Sequence, residues 1–361
     1  MNAKKILSIF LVLVMLIAVS GCGKKSTSVD NSQQISDNNQ QTVENKKDNA
    51  DNDVTNEKDL EENLYPDYIL EETDTTITYL DPRDNKTTIT KKPQKVVVLL
   101  SSILDLWYMS GGEAIGRCTG KTNVPAEAKD LPQLGKFSAV NVEQMLALEP
   151  DLVILSAPVS SQIELIDLLK ENNIEYAAVD VSTNPYESFK KNLYLFTKVL
   201  GNEDIYNNNI SGITNSVEEI LNKAKEVENK PSAVILFSST RSVTCELPTA
   251  LTGEMVELLG ADNIVADAQI EGATKVDFSL ERLIQRDPDY ILVTTMGDVE
   301  KCKARVEQDV ASNEAWNSLT AVKEGRVYYL PKDLFLYKPN ARYAEAFEEL
   351  AKILYPEVFN Q

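Results

Sequence analysis

The 361 residues include no histidine and four cysteines, Cys22, Cys118, Cys245 and Cys302. Without imidazole the usual general base, the Ser-His-Asp triad, most zinc sites and the commonest haem ligand are all removed. No pair of cysteines has CxxC spacing. Cys22 stands apart, directly behind an apolar N-terminal run. The other three are an odd number and read as free thiols, not a disulfide framework. A Cys118–Cys245 bridge would be the pairing to consider, and it would restrain motion between the two halves of the chain. No GxSxG turn, phosphate loop or metal-ligand cluster occurs, so an enzyme is not expected. The remaining chemistry is recognition by charge and hydrogen bond. Two apolar runs end in serines, Ser101-Ser102 and Ser238-Ser239, and the second continues into Thr240-Arg241. Ligands of open α/β lobes sit at the carboxyl ends of strands. Ser101, Ser102 and Arg241 are therefore candidate ligand contacts, although serines there could equally cap helices. Near the C-terminus, Leu336-Tyr337-Lys338-Pro339-Asn340-Ala341-Arg342-Tyr343 adds Tyr337 and Arg342.

The N-terminus supplies an address. Lys4 and Lys5 precede an apolar run at 6–19, and Val19-Ser20-Gly21-Cys22 follows. A basic start, a short apolar stretch and small residues before a cut describe a secretory signal, and about fourteen apolar residues are too few to span a bilayer comfortably. Cysteine after Ser-Gly resembles the lipobox of bacterial lipoproteins. That resemblance implies a signal peptide at 1–22, a diacylglyceryl group on the Cys22 sulfur, and a cell-membrane protein on the extracytoplasmic face. Residues 23–64 are rich in Asn, Asp, Gln, Ser, Glu and Lys. Such a stretch reads as a disordered polar tether with a reach of roughly 35 Å. A tether of this kind suits a bacterium with no outer membrane. The net charge of −20 argues against nucleic acid as a partner.

Elements that would position the candidates can be read from periodicity. Residues 75–92 form two Thr/Ile-rich runs around Asp81-Pro82-Arg83-Asp84-Asn85, a β-hairpin pattern. Residues 95–100 are a continuous apolar strand covered on both faces, followed by a serine cap, a helix and a glycine stop at Gly111-Gly112. An internal match is the most informative feature. NVEQMLALEPDLVIL at 141–155 aligns with SLERLIQRDPDYILV at 279–293. Each reads as a capped short helix, a Pro-broken turn and a buried strand, which is an α/β unit. Glu143 aligns with Glu281, and Glu149-Pro150-Asp151 with Asp287-Pro288-Asp289. The expected fold class is therefore α/β with two lobes of similar plan. The N-terminal lobe takes 65–185 with its leading hairpin, and the C-terminal lobe takes 230–361. Between them 186–229 read as helix only, interrupted at Gly201, with a long second helix suited to a rigid connection.

In this order and spacing the motifs resemble the substrate-binding proteins of bacterial ABC importers for iron–siderophore complexes, haem and cobalamin. The resemblance covers about 75–361. It rests on Pro93-Gln94-Lys95-Val96-Val97-Val98, Ile115-Gly116-Arg117, Leu134-Gly135 and Asn141-Val142-Glu143. In the second half it rests on Glu257-Leu258-Leu259-Gly260-Ala261-Asp262-Asn263-Ile264, Asp287-Pro288-Asp289, Trp316 and Gly325-Arg326-Val327-Tyr328. The family implies two lobes joined by a single long α-helix, a ligand cleft between them and small lobe closure. It also implies that Glu143 and Glu281, one per lobe, meet arginines of a permease served by an ATPase. Phe137 falls where relatives often place an aromatic at the cleft wall, and Lys121 and Lys275 fall in segments that line the cleft in relatives. Several cations in one cleft would suit an anionic ferric siderophore as the small-molecule partner. Cobalamin would want more aromatic lining than Phe137 and Tyr337 offer. Haem would need Tyr, Met or Cys on its iron. The expected protein is a monomeric solute-binding lipoprotein. A surface receptor or adhesion lipoprotein without a transporter is the alternative of another class.

Overall fold

The computed structural model describes residues 63–268 and 270–360. The signal segment, Cys22 and nearly all of the tether lie outside the described residues. No helix among the described residues is long and apolar enough to cross a membrane.

The chain enters through a three-stranded antiparallel sheet, β1 (Ile69–Glu72), β2 (Thr76–Leu80) and β3 (Lys86–Thr90). The expected hairpin is β2–β3, and β1 is a strand that the sequence pattern did not reveal. Asp81 closes the turn by accepting the backbone N–H groups of Arg83 and Asn85 at 2.8 and 3.1 Å. The Tyr79 hydroxyl donates to the Ala178 carbonyl at 2.8 Å and fastens this sheet to the first lobe.

The first lobe is a parallel sheet of order β5-β4-β8-β9. Its strands are β4 (Val96–Val98), β5 (Gly116–Arg117), β8 (Leu152–Ser156) and β9 (Glu175–Val179), with a small hairpin, β6 (Gly135–Lys136) and β7 (Ala139–Val140), beside them. Its helices are α1 (Ser101–Met109), α2 (Val142–Ala147), α3 (Ser160–Ile163) and α4 (Ile166–Glu171). Helix α1 begins one residue earlier than the serine cap requires. Leu100 occupies the cap position, no side chain caps it, and Ser101 and Ser102 lie inside the first turn. The glycine stop is present, with Gly111 at φ +86° and its N–H bonded to the Tyr108 carbonyl.

Helices α5 (Pro185–Leu200) and α6 (Glu203–Lys225) form the connection. Gly201 at φ +68° ends the first. Helix α6 is the single long helix that carries the chain from one lobe to the other, burying Tyr206, Ile210, Val217 and Ala224.

The second lobe is a six-stranded sheet of order β13-β11-β10-β14-β15, with β12 also on β10. Its strands are β10 (Ser232–Ser239), β11 (Val243–Glu246), β12 (Asp262–Asn263), β13 (Lys275–Asp277), β14 (Tyr290–Met296) and β15 (Val327–Tyr329). Helices α7 (Leu251–Leu258), α8 (Leu280–Arg286), α9 (Val299–Val306), α10 (Thr320–Lys323), α11 (Lys332–Phe335), α12 (Tyr343–Leu354) and α13 (Pro356–Phe359) surround it. The plans of the two lobes diverge after their first strand. β4 leads into a helix, whereas β10 turns back as an antiparallel hairpin with β11.

The internal repeat is structural. Asn141 caps α2 by accepting the Gln144 N–H at 3.0 Å, and Ser279 caps α8 by accepting the Arg282 N–H at 3.3 Å. Glu149 and Asp287 both adopt positive φ, +48° and +42°. The following aspartates then tie the turn to the start of the neighbouring strand. Asp151 accepts the N–H groups of Gln94 and Lys95, and Asp289 accepts that of Ser232.

Helix α7 packs so closely that a Cβ at Gly253 would overlap the Leu247 carbonyl oxygen. Backbone has no rotamer with which to yield, so Gly253→Ala should destabilise the protein by about 2 kcal/mol or more, read as a lower denaturant midpoint.

Candidate functional site

A cavity of about 600 Å³ opens between the lobes. On the first lobe it is built at the carboxyl ends of all four parallel strands. Ser101 and Ser102 follow β4, Thr119 to Asn123 follow β5, Ser156 ends β8, and Val181 and Ser182 follow β9. Phe137 overhangs it from the β6–β7 turn. The second lobe contributes Met296 at the end of β14 and the Leu336-Tyr337-Lys338 segment after α11. Parallel strands present their ends on one edge, which is why the site lies there. Phe137, Met296 and Tyr337 are 47%, 51% and 40% exposed, so large apolar or aromatic surface is left uncovered inside the cleft. Lys121 and Lys338 are the charged residues of the lining, and no aspartate or glutamate belongs to it.

Buried polar groups hold this wall in shape. Gln162 accepts the Ser156 N–H at 2.7 Å and donates to the carbonyls of Leu99 and Phe137 at 2.8 and 2.9 Å. Arg117 is buried and donates to the carbonyls of Cys118, Ala128 and Lys129, fixing the loop that carries Lys121. Asn340, at φ +47°, donates to the Ser102 carbonyl and to Asp105 at 3.0 and 2.8 Å. Asn123 donates to the Lys338 carbonyl at 2.7 Å. These last bonds cross between the lobes.

Ser101, Ser102, Lys121, Phe137 and Tyr337 thus meet in one cavity, as the sequence reading has them. Arg241, Lys275 and Arg342 do not line it. Arg241 sits exposed in the β10–β11 turn, where its N–H donates to Ser239 Oγ. Ser238 is buried and donates to the Cys302 carbonyl. Lys275 lies opposite Glu246 in the β11–β13 register, with its ammonium 4.3 Å from the Phe237 ring centroid. Arg342 is paired with Asp333 and Glu345 at 2.8 and 2.7 Å, and these carboxylates hold its guanidinium pKa above the usual value. Sequence reasoning passed over Lys338, Asn123 and Met296. For Lys338 the signal was present, since it neighbours Tyr337. Cys118, Cys245 and Cys302 are separate buried thiols, and burial pushes Cys118 and Cys245 up to about 12.

Glu143 and Glu281 are exposed in the first turns of α2 and α8. Neither carboxylate joins an ion pair among the described residues. Acidic residues are favoured at such positions by the helix dipole. Among the described residues no cluster of His, Cys, Asp or Glu could hold a metal ion.

The sequence profile of the periplasmic binding proteins matches residues 96–334. The chain belongs to this family. It is similar to YvrC of Bacillus subtilis, called an uncharacterized ABC transporter substrate-binding lipoprotein, with 27% identity over 290 residues, 79% of this chain and 87% of that protein. The high-affinity heme uptake system protein IsdE of Staphylococcus aureus (strain Newman) is 24% identical over 67% of this chain and 81% of its own. The IsdE–heme structure superposes with a TM-score of 0.63 at 20% identity, covering 72% of this chain and 98% of that one. S. aureus SirA complexed with staphyloferrin B gives 0.64 at 20%, covering 77% and 98%. The family of binding proteins read from the motifs is the one found, and its fold is two α/β lobes with a cleft between them.

One group at the lobe junction titrates unusually. The Glu254 carboxylate of α7 accepts the N–H groups of Tyr186 and Glu187, at 2.7 and 3.3 Å, and so ties the start of α5, in the connection, to the second lobe. Burial pushes its pKa up to about 7 despite those two amides. The folded protein therefore keeps a proton on Glu254 that the unfolded chain has released. Stability from this group is complete below pH 4.5 and is lost as pH rises towards 7. Glu254→Gln should remove the slope, gaining on the native protein by roughly 3 kcal/mol between pH 4.5 and pH 8 in paired denaturant titrations.

Proposed function

We propose that this protein is an extracytoplasmic solute-binding lipoprotein, anchored through Cys22, that captures a ferric siderophore in the inter-lobe cleft and delivers it to an ABC permease. The observation that carries this reading is the lining of the cleft. A chain of net charge −20 builds a 600 Å³ cavity with two lysines and no carboxylate. Such a site favours an anionic ligand, because a charged donor meeting an anion makes a stronger hydrogen bond than a neutral one. Ser101, Ser102, Lys121, Phe137 and Tyr337 are its proposed contacts. The similar structures named above hold heme, in IsdE, and staphyloferrin B, in SirA. In this reading the lobes take 65–185 and 230–361, with 186–229 between them, and the protein acts as a monomer.

Haem is the second reading. Met296 and Tyr337, exposed in the cavity, are side chains able to ligate haem iron where histidine is absent. A panel of ferric siderophores, haem and cobalamin, titrated against intrinsic fluorescence, separates the readings. A ferric siderophore should quench with a dissociation constant below about 1 μM. Failure of every compound would remove the ligand assignment, and binding of haem alone would replace it.

Glu143 and Glu281, exposed, unpaired among the described residues and matched in the internal repeat, are the proposed contacts with arginines of the permease. The Glu143→Ala, Glu281→Ala double variant should bind ligand as the native protein does and fail to support uptake. Undiminished uptake of labelled iron would refute that role. Genes for a permease and an ATPase beside this one would separate an importer component from an adhesion lipoprotein.

A further inference from the structure

Among the described residues, Lys338 is the one cation that the second lobe places in the cleft lining. Its main chain is held from the facing lobe, since Asn123 donates to its carbonyl at 2.7 Å. Two residues on, Asn340 is buried at φ +47° and bonded to Ser102 and Asp105 of α1. The segment is therefore rigid where it meets the cavity. The Lys338 ammonium makes no hydrogen bond or ion pair among the described residues. Four charged side chains face it at longer range, the carboxylates of Glu246, Asp180 and Glu254 and the ammonium of Lys275. Glu246 is occupied elsewhere, accepting from Thr294 Oγ1 at 2.8 Å and the Thr252 N–H at 3.3 Å. Burial pulls the Lys338 pKa below the usual lysine value. Lys338 is half-buried, and a cation that has lost part of its hydration without gaining a direct partner is favoured by an anion that reaches it. Lys121 faces the same cavity from the first lobe.

We propose that Lys338 is the second-lobe anchor for an anionic oxygen of the ligand, and that Lys121 takes a second one from the opposite lobe. The ligand class is then narrower than iron chelates in general. It is a polyanionic ferric chelate with carboxylate or catecholate oxygens on two sides, and neutral ferric trihydroxamates are poor ligands. This assignment rests on the siderophore reading above.

The test is a titration of the full chain with a carboxylate ferric chelate, a ferric triscatecholate and a neutral ferric trihydroxamate. It compares the native protein with Lys338→Met, Lys338→Gln, Lys338→Arg and Lys121→Met. The native protein should prefer the anionic chelates. Lys338→Met and Lys338→Gln should weaken them by about ten- to a hundredfold, the range of a charged hydrogen bond. Binding of the neutral chelate should not change, and Lys338→Arg should restore most of the loss. Thermal midpoints of both neutral variants should equal or exceed the native value, since no ion pair is removed. Native binding of anionic chelates that survives Lys338→Met and Lys338→Gln unchanged would overturn the anchor and leave the siderophore reading intact. Equal native affinity for the neutral chelate would overturn the polyanion requirement. No native binding of any ferric chelate would overturn the siderophore reading itself, and the anchor with it.

Discussion

The structure depends on one shared apolar core that both lobes need. Alternate residues of the central strands point to it. Val96, Val98, Leu152 and Ile154 do so in the first lobe, and Ala233, Ile235, Tyr290 and Leu292 in the second. The same cluster takes in Phe189, Leu193 and Phe196 of α5, Val217 of α6 and Phe347 and Leu350 of α12. The residues between them, Val97 and Val153 or Val234 and Ile291, face separate cores on the outer side of each sheet. Each fully buried aliphatic side chain contributes about 1.5–3 kcal/mol. The connecting helices are therefore part of the interior, and large separation of the lobes would expose it.

The cleft forms where this core stops. Parallel strands end on one edge, and the loops after them must cover their own backbone groups or leave them to a ligand and water. Gln162 and Arg117 satisfy several of these groups from within the first lobe. Asn123 and Asn340 do so across the junction. The result is a wall that mixes serine, threonine and asparagine with two lysines and with the apolar or aromatic faces of Phe137, Met296 and Tyr337, on a chain that is otherwise strongly acidic. Glu246 and Glu254 lie behind that wall and do not line it. Burial raises the pKa of both.

Some of this was open to sequence reasoning because the signal is local. The match of 141–155 to 279–293 encodes a cap, a turn that needs positive φ before a proline, and a buried strand. All three are decided by a few neighbouring residues. The helical stretch at 186–225 and its break at Gly201 were legible for the same reason. Cleft residues beside strand ends were legible in the first lobe, where every sheet strand is parallel. They were misjudged in the second lobe, where β10 folds back on β11. That hairpin carries Arg241 away from the cavity, and β13, paired antiparallel to β11, holds Lys275 away from it as well; strand pairing is not visible in one strand's residue pattern. The serine cap of α1 also failed, because the chain from β4 turns at Leu100 and draws both serines into the helix.

The sequence by itself determined the α/β units, their pairing into similar halves, the helical connection and the family. The units and the helices follow from periodicity, capping and turn chemistry over short spans, and the family from the resemblance of its motifs. Tertiary structure alone decided which cations face the cleft. Arg342 and Lys338 stand four residues apart in the same segment, yet Asp333 and Glu345 claim the first while Asn123 and Asn340 hold the second at the cavity. Charge type can be read from a sequence. Arg342 meets carboxylates three and nine residues away, whereas the Lys338 main chain is held by Asn123, 215 residues away and brought to it only by the fold.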